Sequence, residues 1–484
     1  MNKRSFAILT LLISLVIFTD LVQAQVNIKN RLLVLSDIEA DPDDSQTLVR
    51  LLLYSDLIDI EGLIATTSVH QKARVAPETM RKIIEAYGKV QPNLLKHDPA
   101  YPSKEEILAK VKQGLPVFGM DGVGKAKDSE GSEWIIKVLE KNDERPLWIS
   151  VWGGPNCLAQ ALWKMKETKS PQELKKLVSK LRVYTISDQD NSACWIRKTF
   201  PDLCYIVSTG SYMTATWIGI NQFVKGANND VISNSWITKN IQQGHGPLGA
   251  SYPDVAYGME GDTPSWLMLI PNGLNDKTVP NWGSWGGRYE LYKPEPLTTK
   301  IPEVFTGGGP YEPETRPIWT DANDTYRAFI KSEFGKAVRR DSVSFTGNQV
   351  TLWRWREDFQ NDFAARMEWC VKPYNEANHP PVAKVNGPEE FTVKSGDIFK
   401  LDAEGSSDPD GDALSYLWFQ YPEAGTFKGN FGFGMLAENL YNVHTIKAPV
   451  VDKPETLHFI LKVTDKGNPP LSRYKRVIVT VVPE

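Results

Sequence analysis

The chain reads Leu32-Leu-Val-Leu-Ser-Asp-Ile-Glu-Ala-Asp-Pro-Asp-Asp-Ser45 near its beginning. The first four residues are an apolar run typical of a buried strand, and the leucines from Ser45 to Tyr54 are spaced for one face of a helix. Between them lie five carboxylates in eight residues, from Asp37 to Asp44. In open α/β sheets, ligands bind in the loops at the carboxyl ends of strands. The stretch therefore predicts a strand, a ligand-binding loop and a helix at the start of an α/β fold.

The acidic loop predicts a site for a cation or a neutral polyol. Carboxylates that repel one another are brought together chiefly to bind a hard cation or to transfer a proton. A nucleotide-phosphate site would instead need glycines and backbone amides. The alternative is purely structural, with Asp43 capping the helix and Asp41-Pro42 shaping the turn.

Residues 1–24 predict a secretory signal peptide. Lys3 and Arg4 precede an apolar run from Phe6 to Phe18, and Val22-Gln-Ala24 is a small-residue cleavage site. The run is short for a membrane span, and no cysteine follows the cleavage site to accept a lipid. We expect the mature protein to be exported, to the periplasm or the medium, without membrane insertion.

The composition is that of a globular protein. Of the 484 residues, 41% are hydrophobic and 24% are charged, which suffices for a sizeable core in two or three domains. The formal net charge of −4 argues against nucleic acid or an anionic membrane as a partner. The four cysteines are too few and scattered for a disulfide framework or a zinc site, although a bridge between Cys194 and Cys204 stays open.

Strand and helix patterns alternate along the first half of the chain. Such alternation predicts a parallel, Rossmann-like sheet with helices on both faces, and thus the α/β class. The predicted strands are residues 32–35, 58–67, 146–152, 182–187 and 203–208, and the predicted helices are residues 45–54, 77–87, 157–165 and a short one around Trp195. Residues 353–369 also have a helical pattern.

Glycine, proline and aromatic residues predominate from residue 240 to 320, which predicts binding loops on a rigid scaffold. Trp282 and Trp285 lie in Asn281-Trp-Gly-Ser-Trp-Gly-Gly287. Because aromatic faces beside glycine loops are one way to hold sugar rings, we expect both tryptophans to contact substrate. Burial in the core is the alternative.

The pattern changes at Asn378-His-Pro-Pro381, where the prolines favour an extended linker. Beyond it, β-branched runs of period two predict a small all-β sandwich, so that residues 25–378 and 379–484 form two domains. The segment from Ser406 to Trp418 resembles cadherin-like, immunoglobulin-type modules. Turn formation by its aspartates, Asp408, Asp410 and Asp412, is favoured over a calcium site.

The acidic loop resembles a motif of the nucleoside hydrolases. Asp37-x-Glu39-x-x-x-Asp43-Asp44 is similar to that family's Asp-x-Asp-x-x-x-Asp-Asp. Similar segments follow in the same order over roughly residues 30 to 260, in residues 118–124, 149–162 and 244–245. The segments 41–44, 186–190, 200–202 and 257–262, with the β-rich tail, look more closely like the secreted, nucleoside-hydrolase-like proteins described as cellulose-binding.

The resemblance implies a Ca²⁺ site and hydrolysis. Asp44, Glu39 and the backbone carbonyl of Asn156 would bind the ion, with Asp37 as a further ligand. Glu39 would be the general base on its water, and Asp43 would accept a sugar hydroxyl. His245 corresponds to a late histidine and is a candidate catalytic acid, or else a hydrogen-bonding loop residue. This chemistry is coherent in itself, because calcium binds a vicinal diol and lowers the pKa of its water while a carboxylate takes the proton.

The chain departs from the family pattern at two positions. Glu39 stands where the family has aspartate, which moves the carboxylate by about a bond length. Gly246 stands where the family has a late aspartate ligand after its histidine. Three acids are candidates to replace that ligand: Asp254, Glu260 and Asp262.

Of these acids, we expect Asp262 in the metal site and Glu260 at the substrate. Asp188, Asp190 and Asn191 lie at the end of a predicted strand, where contacts to a sugar are expected. The alternative for these three is that they are solvated loop residues.

The sequence predicts an exported hydrolase that cleaves a glycosidic bond in a glycan or glycoside, through a carboxylate base and a calcium-bound water. A nucleoside N-ribohydrolase is the enzymatic alternative. A protein that binds polysaccharide such as cellulose without turnover is the alternative from another class, because the late aspartate is missing.

Overall fold

The structure is a computed structural model that describes residues 28–209, 212–225, 227–295, 314–331, 338–429 and 441–484. The predicted signal peptide lies outside the described residues, as do residues 296–313 of the predicted binding loops. No helix in the described ranges is both long and apolar enough to cross a membrane.

An eight-stranded, mostly parallel sheet forms the centre of the first part of the chain. Its strands are β1 Asn30–Ser36, β2 Ile58–Ala65, β3 Val111–Gln113, β4 Leu147–Val151, β5 Leu181–Thr185, β6 Cys204–Val207, β7 Tyr289–Tyr292 and β8 Ile318–Asp321. They are arranged in the order β3-β2-β1-β4-β5-β6-β8-β7, and only β7 pairs antiparallel. The predicted α/β class and Rossmann-like sheet are confirmed.

Helices cover both faces of this sheet. Alternate residues of β1 enter different cores, Leu32 with Val34 on one face and Leu33 with Leu35 on the other, because side chains of a strand alternate in direction. The helices are α1 Asp43–Leu53, α2 Pro77–Leu94, α3 Lys104–Leu108, α4 Glu130–Leu139, α5 Asn156–Thr168, α6 Pro171–Ser179, α7 Ser192–Thr199, α8 Asn234–Ile237, α9 Gly246–Ala250, α10 Pro264–Leu267, α11 Val350–Trp353 and α12 Arg356–Glu368.

Short elements connect these helices and strands. Two antiparallel pairs form from β9 Asp324–Tyr326 with β12 Phe345–Gly347, and from β10 Phe329–Lys331 with β11 Val338–Arg340. Single helical turns span Gly119–Gly122, Thr216–Ile220, Asp230–Ile232, Thr238–Gln242, Pro280–Trp282 and Tyr374–Glu376.

The last part of the chain is all-β, as predicted. Its strands are β13 Glu390–Lys394, β14 Ile398–Asp402, β15 Ser415–Gln420, β16 Val443–Lys447, β17 Glu455–Thr464 and β18 Ser472–Val482. They form a four-stranded sheet, β13-β18-β17-β15, and a two-stranded sheet, β14-β16. Leu401 and Ile446 of the small sheet share a core with Trp418, Phe459 and Val479 of the large one, which is the arrangement of a sandwich.

The two parts of the chain share one continuous core. Phe419 and Tyr474 of the β part belong to the same buried cluster as Trp285, Trp355 and Phe359 of the α/β part. Burial of apolar surface is the main contribution to the stability of a fold. Each part of the chain therefore depends on the other to bury these apolar residues.

Candidate functional site

Four neighbouring strands end at one edge of the sheet, and their loops form the candidate site. The loops after β2, β1, β4 and β5 contain residues 66–71, 37–42, 152–155 and 186–191. The strand order proceeds in one direction from β1 to β3 and in the other from β4 to β6. The gap between β1 and β4 is therefore a topological switch point, the usual ligand position in such sheets.

Three acids of the first loop converge at this point. Asp41, Asp43 and Asp44 each have a carboxylate oxygen within 4.8 Å of the others. Asp43 and Asp44 are the first residues of α1, where the helix dipole favours negative charge. Asp44 also accepts a hydrogen bond from Ser36 Oγ at 2.5 Å, which ties the helix to the end of β1.

Asp37 and Asp262 are buried beside these three acids, with 3% and 1% of their surface exposed. Burial raises the pKa of Asp37 to about 7, with a smaller contribution from Asp41. Burial also raises the pKa of Asp262 well above its usual range, and the negative charge of Asp43 adds to the effect. Among the described residues, Asp262 Oδ2 has no hydrogen-bond partner. We call these five acids the acidic cluster: Asp37, Asp41, Asp43, Asp44 and Asp262.

The acidic cluster fits a hard cation. Within the described part of the chain, none of its members forms an ion pair with lysine or arginine. Burial raises the pKa of Asp43 and Asp44 as well, with contributions from the neighbouring acids. Uncompensated buried carboxylates are costly unless they are paired or coordinate a metal, and hard cations prefer oxygen ligands.

Asp190, Asn156 and Asn191 lie along the same edge of the sheet. Asp190 is 1% exposed, and its Oδ1 accepts hydrogen bonds from the backbone N–H and the hydroxyl of Ser192. Burial raises its pKa to about 6. Asn191 Oδ1 accepts from the backbone of Met120 at 2.9 Å and so positions the segment at 119–122.

Several buried polar atoms on these loops have no hydrogen-bond partner among the described residues. They are Thr66 Oγ1, Asn156 Oδ1, Ser187 Oγ, Gln189 Oε1 and Asp190 Oδ2. All five follow the carboxyl ends of β2, β4 or β5. Because buried polar groups are normally satisfied, their concentration at one edge indicates a place for a polar ligand or ordered water.

Glu39 is not brought into the acidic cluster. Its backbone has a φ of 78°, a left-handed conformation that non-glycine residues rarely adopt. Its carboxylate accepts hydrogen bonds from Arg74 and Thr79 at the surface, and the bond from Thr79 contributes most to lowering the pKa of Glu39. Asp41, which the sequence suggested as a turn former, occupies the cluster instead.

Glu260 belongs to a buried network that supports the acidic cluster, and its carboxylate does not point to a substrate site. Its carboxylate pairs with Arg50 of α1 at 2.6 Å, and both side chains are fully buried. Tyr252 and Thr263 donate further hydrogen bonds to it at 2.7 and 2.8 Å. This network joins α1 to the segment that carries Asp262.

His245 is also remote from the acidic cluster. Its Nε2 lies 3.4 Å from Glu368 at the end of α12, and Gly246 after it packs near Val90 of α2. Thr79 of α2 contacts Glu39 beside the acidic loop. Val90 lies eleven residues further along this helix, about 16 Å away.

The remaining predicted substrate residues have structural partners. Asp188 forms a bidentate pair with Arg197, at 2.8 and 2.7 Å. Trp285 is fully buried against Tyr474 of the β part, and Trp282 packs on His458. The cysteines form no disulfide with one another, and Cys194 contacts the Asp188–Arg197 pair.

His70, Tyr212 and Trp217 face the acidic cluster without having been predicted. His70 Nε2 lies 2.7 Å from the Tyr212 hydroxyl, and the Tyr212 ring packs edge-on against Trp217. Burial raises the pKa of Tyr212, and Asp37 is the next contributor. A side chain on Gly261 would lie 2.8 Å from both Asp43 and Trp217, so glycine permits this close approach. No sequence motif joins these residues, which come from separate loops.

The fold and the acidic cluster define an α/β protein of the nucleoside-hydrolase-like class. Residues 31–289 match the model of the family described as cellulose-binding Sde182, nucleoside hydrolase-like domain, and residues 398–481 match the C-terminal domain of the cellulose-binding protein Sde0182. The chain belongs to this family.

A solved structure supports the assignment. A nucleoside hydrolase-related hypothetical protein from Saccharophagus degradans, described as associated with carbohydrate metabolism, is 33% identical. The match covers 94% of this chain and all of that one, with a TM-score of 0.76. The effector protein XOO4466 is 8% identical over 60% of this chain and 87% of its own, with a TM-score of 0.35. No curated protein matches the chain.

Proposed function

We propose that this protein is an exported, metal-dependent hydrolase that cleaves the glycosidic bond of a glycan or glycoside. The observation that carries the proposal is the acidic cluster, five acids without a cationic partner among the described residues, at the switch point of a nucleoside-hydrolase-like sheet. The family's description as cellulose-binding supports a carbohydrate as the ligand. Export is supported by the signal-peptide pattern of residues 1–24.

Calcium is the proposed cation. Asp41, Asp43 and Asp44 would hold it, with Asp37 and Asp262 in reach, because calcium accepts six to eight oxygen ligands in flexible geometry. A bound calcium ion would supply a hydroxyl-binding centre and a water of lowered pKa.

The residues around the cation site have separate proposed roles. Asp41 is only half-buried, so water can reach its carboxylate, and it would accept the proton of the attacking water in place of Glu39. Tyr212, which is half-buried and packs against the buried Trp217, offers aromatic surface for one face of a sugar ring. His70 lies at the rim, hydrogen-bonded to Tyr212, where its neutral imidazole would contact the leaving group, because burial lowers its pKa.

A second candidate is polysaccharide binding without turnover. Two observations favour it: the family is described as cellulose-binding, and His245 does not approach the acidic cluster. The nucleoside N-ribohydrolase alternative rests on the nucleoside-hydrolase-like domain alone.

The experiment combines turnover and binding on the same samples. Mature protein is incubated with cello-oligosaccharides, aryl glycosides and nucleosides, in calcium or in chelator, and released reducing sugar and base are measured. The proposal predicts calcium-dependent release of sugar, lost in Asp43→Asn and kept in Asp128→Asn, whose carboxylate contacts Lys164 at the surface.

The alternatives give different outcomes in the same experiment. Release of base from nucleosides alone would establish the ribohydrolase. Retention of wild type and Asp43→Asn on cellulose, with no turnover of any substrate, would establish the binding protein.

A further inference from the structure

The most exposed large apolar side chains are concentrated on loops beside the acidic cluster. Within the described ranges, the four highest exposed fractions belong to Tyr257 (88%), Met213 (79%), Phe223 (79%) and Val450 (78%). Only Val450 lies in the β part. Met213 follows Tyr212, and Tyr257 lies on the segment that carries Asp262. Single exposed apolar residues are common, but a group of them on adjoining loops marks a binding surface.

Two of these residues come from loops that contact each other at two points. At the first point, beside the acidic cluster, Gly261 lies against the ring of Trp217. At the second point, a side chain on Gly258 would collide with the side-chain amide of Asn221, so glycine permits the loops to meet there. Asn221 follows Trp217 by four residues at the end of the helical turn Thr216–Ile220, a path of about 8 Å. The second contact therefore lies outward from the acidic cluster.

Phe223 and Tyr257 lie at this second contact. Tyr257 directly precedes Gly258, and Phe223 follows Asn221 by two residues. Their Cα atoms are therefore within about 4 Å of Gly258 and about 7 Å of Asn221, respectively. Both rings are exposed at the same end of the paired loops. We call Phe223 and Tyr257 the aromatic rim.

The backbone that carries the aromatic rim is anchored. Val224, next to Phe223, is buried. Its N–H donates to Asn229 Oδ1 at 3.0 Å, and its carbonyl accepts from Asn229 Nδ2 at 2.7 Å. Met259, two residues after Tyr257, is buried in the core that contains α1. Because these loops are already ordered, a ligand that covers the rings has little conformational entropy to remove.

The size and chemistry of the aromatic rim suit a sugar chain. Aromatic side chains bury about 150 to 250 Å² each, so two rings offer at most about 500 Å². A stable protein interface takes about 800 Å² from each partner. A pyranose ring has C–H groups on its faces, which suit the electron-rich face of an aromatic ring. Its hydroxyls suit the half-buried amide side chains beside the rim, Asn221 and Gln222.

We propose that the aromatic rim binds further sugar units of a glycan chain whose reacting part lies at the acidic cluster. The substrate is then a chain of several sugar units, because a nucleoside or an aryl glycoside at the acidic cluster would leave the rim uncovered. This inference rests on the carbohydrate ligand proposed above, but it does not require turnover.

The test measures binding of thio-linked cellobiose and cellohexaose, which resist hydrolysis, by calorimetry on the full mature chain in calcium. Wild type should bind the hexasaccharide more tightly by about tenfold or more, because covering an aromatic side chain contributes about one tenfold step in affinity. The double variant Phe223→Ala, Tyr257→Ala should fold, since both rings are exposed. It should bind both sugars as wild type binds the disaccharide.

Tyr292→Ala is the matched control. It removes an exposed tyrosine from β7, at the edge of the eight-stranded sheet, and it should keep the preference for the longer sugar. Wild type that binds both sugars equally, or a double variant that keeps the preference, would overturn the role of the rim and leave the proposed function standing. Preference for the longer sugar without hydrolysis of natural glycans would support the rim and contradict the hydrolase.

Two further outcomes would overturn the proposal. Wild type that binds neither sugar would contradict both the rim and the carbohydrate ligand on which it rests. A dimer that the double variant converts to a monomer in analytical ultracentrifugation would identify the rim as an interface between two copies of the chain.

Discussion

At the scale of single residues, the acidic loop directs one carboxylate to the protein surface and another into the acidic cluster. The left-handed backbone at Glu39 directs its carboxylate to Arg74 and Thr79, and the chain then returns so that Asp41 joins Asp43 and Asp44. Sterically disfavoured backbone conformations of this kind often occur at functional sites. The two acids, two residues apart, therefore have different roles.

Paired neutral substitutions test these roles. Asp41→Asn removes a carboxylate from the acidic cluster and is expected to lower turnover by about 100-fold or more, because it removes the proposed general base. Glu39→Gln is expected to keep turnover within about threefold, since it changes only a surface ion pair. Steady-state kinetics in saturating calcium measures both. The opposite ranking would show that Glu39 is the base.

The sequence predicted the acidic cluster in part. The density of carboxylates and the preceding strand indicated Asp37, Asp43 and Asp44, because these depend on local spacing. The sequence could not show which of Glu39 and Asp41 joins the acidic cluster. The answer depends on the backbone conformation at Glu39 and on its contact with Arg74, which lies on another loop. Asp262 was the candidate expected in the metal site, but Glu260 was expected at the substrate, and its buried pair with Arg50 depends on how its segment packs against α1.

At the scale of elements, helix α1 and the segment 257–263 position the acidic cluster together. The Arg50–Glu260 pair joins them, and Arg50 also lies 4.1 Å above the ring of Phe363. Removing one partner of a buried ion pair leaves an uncompensated charge, which costs more than the pair contributes. This network therefore matters for the position of Asp262.

Glu260→Gln is expected to lower the free energy of unfolding by about 3 kcal/mol, as measured by denaturant unfolding. Calcium affinity should fall as well, because Asp262 loses its support. Glu85→Gln, which breaks an exposed pair with Lys104, should change neither quantity. A Glu260→Gln protein as stable as wild type would contradict the proposed support.

The sheet was predictable at this scale because its strands have local patterns. The predicted strands 58–67, 146–152, 182–187 and 203–208 correspond to β2, β4, β5 and β6. The strands β7 and β8 were missed, because they lie in or beside the glycine-rich and tryptophan-rich segment. That segment packs against the β part, so Trp285 is buried by Tyr474, nearly 200 positions away.

At the scale of the whole molecule, the contact between the two parts contains a titratable group. His458 of β17 is 2% exposed, packs against Trp282, and its Nδ1 lies 3.1 Å from Arg476. Burial, followed by the charge of Arg476, lowers the pKa of His458 to about 3. The histidine therefore stays neutral in the folded protein under mildly acidic conditions.

This histidine predicts acid sensitivity. Below about pH 6.5 the unfolded chain binds a proton at His458 that the folded chain does not, so stability falls as the pH falls towards 3. Between pH 7 and pH 5 the expected loss from this residue is about 2 kcal/mol. Denaturant unfolding of wild type and His458→Gln at both pH values measures it. The variant should lose less stability on acidification, and an identical loss in both proteins would contradict the prediction.

The proposed metal site is tested most directly by a high-resolution crystal structure of the protein in excess calcium. We expect an ion between Asp41, Asp43 and Asp44, with six to eight oxygen ligands at about 2.3 to 2.6 Å and Glu39 still bonded to Arg74. A map with only water at that point, and with the three carboxylates turned away from one another, would contradict it.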